Sequence, residues 1–82
     1  MNNRDNIRNQ IKMLETKNMD LKSQMQVIIR QMQSFSEFSY GDTDNVTRLS
    51  RILNEHCEQY LKNETAINMI RWTIKELENN GN

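Results

Sequence analysis

The sequence predicts an all-α protein, an antiparallel two-helix coiled-coil hairpin that dimerises into a four-helix bundle. Three observations predict it. Proline is absent from the 82 residues and glycine occurs only at Gly41 and Gly81, so nothing interrupts a helix except near the midpoint and the end. Apolar residues recur at alternating steps of three and four on both sides of Gly41, which is the spacing of a coiled-coil seam. The two seams also fit one another when the chain folds back.

The first helix is expected over about residues 4–39. Its seam reads Ile7, Ile11, Leu14, Asn18, Leu21, Met25, Ile28, Met32 and Phe35, with heptad position a at 11, 18, 25 and 32 and d at 7, 14, 21, 28 and 35. A turn is expected over 40–43, where Gly41 can take the left-handed conformation that closes a helix. Asp42, Thr43 and Asp44 are N-cap candidates, and the carboxylates suit the positive end of the following helix dipole. The second helix is expected over about 44–79. Its seam is Val46, Leu49, Leu53, His56, Tyr60, Asn63, Ile67, Ile70, Ile74 and Leu77, with a at 46, 53, 60, 67 and 74. The whole chain, 1–82, reads as one unit.

In an antiparallel pair, a packs against d of the partner. Every pairing whose residue numbers sum to 81, from 35 with 46 to 7 with 74, joins an a to a d. The same register sets Asn18 opposite Asn63, so the two seam asparagines share one layer and bond side chain to side chain. A lone buried amide costs about 1–3 kcal/mol, so pairing them penalises slipped registers. On the rims, Glu15 meets Glu64 and Arg8 meets Arg71, with diagonal contacts from Glu15 to Arg71 and from Lys22 to Glu64 in compensation.

Eleven basic residues balance eleven acidic ones, which argues against a nucleic-acid or anionic-membrane partner drawn by net charge. The first 35 residues hold six basic against three acidic side chains and the remainder five against eight, so the halves attract. The longest aliphatic run is Val27 to Ile29, far short of the ~20 residues a bilayer span needs. A single cysteine, Cys57, and no apolar signal segment predict a cytoplasmic protein without an internal disulfide.

Chemistry is sparse. A chain this short buries too little surface for a scaffolded catalytic pocket, and phosphate loops, a serine nucleophile elbow and facing acid pairs are missing. We therefore expect no enzymatic activity, no cofactor and no metal site, since one histidine and one cysteine fall short of a zinc ligand set. His56 and Cys57 are neighbours that diverge on a helix, and His56 is read as a half-buried seam residue whose protonation would loosen the hairpin. Asn45-Val46-Thr47 and Asn63-Glu64-Thr65 match the glycosylation pattern but fall at or within a helix.

Partner binding is the expected function. Leu61, Thr65, Met69 and Trp72 stand at spacings of four, four and three, on the face of helix two away from the seam. Tryptophan and methionine are enriched where proteins meet partners, and the row leaves open whether that partner is a second copy of this chain or a different protein. A second candidate surface near the turn comprises Ile29, Phe38, Tyr40 and Ile52. Met13, Met19 and Val27 add a ragged stripe on helix one. Because each seam residue is covered on one side only, an isolated hairpin is marginal, and a homodimer is expected.

In its length, its Met1-Asn2-Asn3-Arg4 opening and its twelve asparagines, eight isoleucines and six methionines, the chain resembles the small accessory regulators of T4-like phages that act in lysis inhibition. The resemblance implies a cytoplasmic antiholin that engages the cytoplasmic part of a holin and delays lysis, and it carries no residue roles with it. Two other readings stay open. A Rop-like hairpin dimer would bind structured RNA through Arg4, Arg8, Lys12 and Lys22, and a purely structural coiled-coil segment would bind nothing further.

Overall fold

The structure, a computed structural model, describes residues 3–35 and 40–80. Helix α1 spans Asn3–Gln33, a short 3-10 turn spans Tyr40–Asp42, and helix α2 spans Thr43–Asn80. The helices lie side by side and antiparallel in a rod of 65 × 19 × 15 Å. Asp5 in the first turn of α1 and Arg30 in its last complement the helix dipole, as Asp44 does in the first turn of α2.

Cross-helix bonds fix the register. Asn63 Nδ2 donates to Asn18 Oδ1 at 2.9 Å, and Cys57 Sγ rests 3.4 Å from Met25 Sδ. Arg71 Nη2 reaches Glu15 Oε1 at 3.2 Å, the diagonal the rim charges require. Glu64 does not need Lys22 for a polar contact, because Asn18 Nδ2 approaches its Oε1 at 3.5 Å. Ile11, Ile28, Leu49 and Ile67 are buried in the seam along with Asn18 and Asn63, and the other paired seam residues are half-buried. Even Ile67, the best covered, retains 3% of its exposure.

Three features depart from the sequence reading. Helix α1 ends at Gln33, where Ser34 competes for the backbone, and the expected end at 39 lies outside the described residues. Ser34 Oγ donates to the Gln31 carbonyl at 2.6 Å, while Ser34 N is shared between the Arg30 and Gln31 carbonyls and Phe35 N takes that of Met32. Gly41 does not take the left-handed conformation expected of it; it sits in the 3-10 turn that leads into α2, without a positive φ. Leu77, assigned to the seam, is 62% exposed. Its partner in the register would be Arg4, whose guanidinium turns instead to Glu78 at 3.4 Å.

Candidate functional site

The best-defined apolar surface is the row on α2. Leu61, Thr65, Met69 and Trp72 occupy heptad positions b, f, c and f, which turn away from α1, and all four are exposed. Trp72 is 59% exposed, Met69 58% and Leu61 63%. Helix geometry alone makes this face: steps of three or four residues bring successive members over one another along about three turns. Lys62, Asn68 and Arg71 border the row, giving a greasy strip with a polar edge, the form a docking surface takes.

Of the expected turn surface, the structure describes the side chains of Ile29 and Ile52. Ile29 is exposed at position e and Ile52 is half-buried at position g, and these positions lie on opposite sides of an antiparallel seam. Phe38 and the side chain of Tyr40 lie outside the described residues. Met13, Met19 and Val27 are exposed on α1.

The polar layer is built more completely than the sequence implies. Asn18 and Asn63 are each 5% exposed. Besides their mutual bond, Asn18 Nδ2 donates to the Tyr60 carbonyl at 3.3 Å, and Gln59 Nε2 donates to Asn63 Oδ1 at 2.9 Å. Gln59 is the residue sequence reasoning missed, and its signal was present: a glutamine one turn before Asn63 on the same helix. The burial of Asn63 also removes it as a glycosylation acceptor.

His56 Nδ1 lies 2.8 Å from the Ile52 carbonyl oxygen, which only accepts, so this nitrogen carries a proton. Nε2 faces Gln24 Oε1 at 2.7 Å. The ring thus ties the α2 backbone to Gln24 of α1 across the seam.

Among the described residues, no group of three or more His, Cys, Asp or Glu side chains is placed to hold a metal ion. No described helix is long and apolar enough to cross a membrane. Of the basic residues an RNA partner would use, Arg4 pairs with Glu78, and Arg8 and Lys22 share their side of the hairpin with Glu15 and Glu64, which offset their field. Comparison with protein-family models, with curated proteins and with solved structures finds no match for this chain.

Proposed function

We propose that this chain is a non-enzymatic, protein-binding regulator that acts as a homodimer and meets its target through the Leu61, Thr65, Met69 and Trp72 row. The observation that carries the reading is the exposure of the single tryptophan on the helix face turned away from α1, with Leu61 and Met69 beside it. A large aromatic left in water gains free energy when a partner covers it, and tryptophan is prominent among residues that dominate binding energy. The balanced charge favours a protein target over RNA. The resemblance to phage lysis-inhibition regulators supplies the target to try first, the cytoplasmic part of a holin, with delay of lysis as the outcome.

Trp72 is its own reporter. Titrating the protein with a peptide from the cytoplasmic segment of a T4-like phage holin should shift Trp72 emission to the blue. Calorimetry with Trp72→Ala should then reveal binding weakened by at least about tenfold, the effect of losing one hot-spot residue. Unchanged affinity in Trp72→Ala would remove the row as the contact surface, and no binding by the native chain would remove the holin.

A further inference from the structure

The two flanks of the hairpin differ sharply, and the difference points to where a second copy packs. In an antiparallel pair the e positions of both helices line one flank and the g positions the other. The e flank carries charges at Arg8, Glu15, Lys22, Glu64, Arg71 and Glu78. The g flank carries Gln10, Gln24, Gln31 and Gln59 with Ile52 and Ala66, and Lys17 as its only charge. Ala66, near the middle of the rod, has the small side chain that lets two helix backbones approach. The neighbouring c positions on α1 add exposed Met13 and Val27, two members of the ragged stripe, while charges at c (Asp20, Arg48, Glu55, Lys62 and Glu76) stand farther from the seam.

Surface area says how much a second copy can cover. A compact monomer of 9.8 kDa exposes about 5,200 Å² by the scaling of globular proteins. This chain exposes 6736 Å². The excess of about 1,500 Å² per chain comes with the rod shape, and it is more than the ~800 Å² per partner that a standard interface takes up. Lateral packing of two rods side by side removes surface along their whole length, and it does so with least desolvation beside the g positions, which bear one charge where the e positions bear six.

We infer that a second copy of this chain packs on the g flank, closing a four-helix bundle, and that Leu61 and Trp72 stay on the outside of that dimer. The inference rests on the homodimer reading and adds the face that forms it. A dimer through the Trp72 row would instead set four helices in a line, leaving both flanks bare.

Sedimentation of the full chain and two variants separates these cases. Val27→Glu alters a side chain that is 51% exposed in the protomer, so the hairpin folds with it, and Ala66→Glu probes the centre of the flank. Each should weaken dimerisation by at least about tenfold, because each forces an unpaired charge into the interface. Trp72→Ala should leave the dimer dissociation constant unchanged within about twofold. Loss of the dimer in Trp72→Ala, with Val27→Glu still dimeric, would overturn the assignment of the face while leaving the dimer itself standing. A native chain that remains a folded monomer at micromolar concentration would overturn both.

Discussion

The Asn18 and Asn63 pair offers the most direct test of how this hairpin chooses its register. Both residues are 5% exposed, and the bond between them is 2.9 Å long. Asn18→Ala leaves Asn63 Nδ2 buried beside a methyl group, and Asn63→Ala does the same to Asn18 Oδ1; either orphan costs about 1–3 kcal/mol. The double variant has no orphan from this bond. Its loss of stability should fall short of the summed single losses by about 1–2 kcal/mol, the scale of coupling between contacting residues. With a urea dependence of about 1 kcal/mol per molar for a chain this small, the shortfall is a displacement of about 1–2 M in the unfolding midpoint, measured at one fixed protein concentration. Additive single-variant losses would refute the pairing argument.

Register follows from the same energies. A slip of one heptad sets Asn18 against Ile70 or His56 and Asn63 against Met25 or Ile11, separating the amides. Two separated amides cost about 2–6 kcal/mol, enough to hold the slipped forms to a few per cent or less. Asn18→Leu with Asn63→Leu removes that penalty. Spin labels at Thr16 and Glu58, in a Cys57→Ser background diluted with unlabelled chain, read the outcome, because one heptad of slip alters the axial offset by about 10 Å. The native seam should give one distance and the leucine pair more than one.

Two further predictions bear on the turn and the seam. Gly41 has no positive φ and nothing within 4 Å of where a Cβ would stand, so Gly41→Ala should raise stability by about 0.4–1 kcal/mol through the unfolded chain, seen as a higher urea midpoint; a fall would contradict the right-handed turn. Ile67→Ala, at the best-covered seam position, should cost about 2–4 kcal/mol, whereas Trp72→Ala should change stability by less than about 0.5 kcal/mol; equal losses at both sites would contradict the division between seam and outer face.

The pattern of threes and fours made the seam legible, and the sum of 81 made its register legible, because a coiled coil converts residue spacing into contact with few other variables. The outward row was legible for the same reason. What escaped was set by local competition rather than by periodicity. Phe35 continues the apolar repeat past Gln33, yet Ser34 satisfies the helix end with its own hydroxyl, and heptad counting has no term for that. Leu77 likewise obeys the repeat, but the register gives it Arg4 as its opposite, and Arg4 finds Glu78. Ile29 and Ile52 were grouped by closeness to the turn, although their e and g positions place them on opposite flanks.

The polar layer and the two proposed surfaces have different dependence on register, and this gives the asparagines a role beyond the seam. The target row lies wholly on α2, so Leu61, Met69 and Trp72 keep their mutual spacing however α1 slides. The g flank is composite: Gln24 on α1 reaches His56 on α2, so a slip of one heptad breaks that contact, whereas the bond from Gln59 to Asn63 lies within α2 and moves with it. Freeing the register with the leucine pair should therefore damage dimerisation while sparing the row. A bundle built on half-buried seams depends on such alignment more than a large core would, because Ile11, Ile28, Leu49 and Ile67 are the only apolar residues buried among those described, and they fix no unique fit by shape alone.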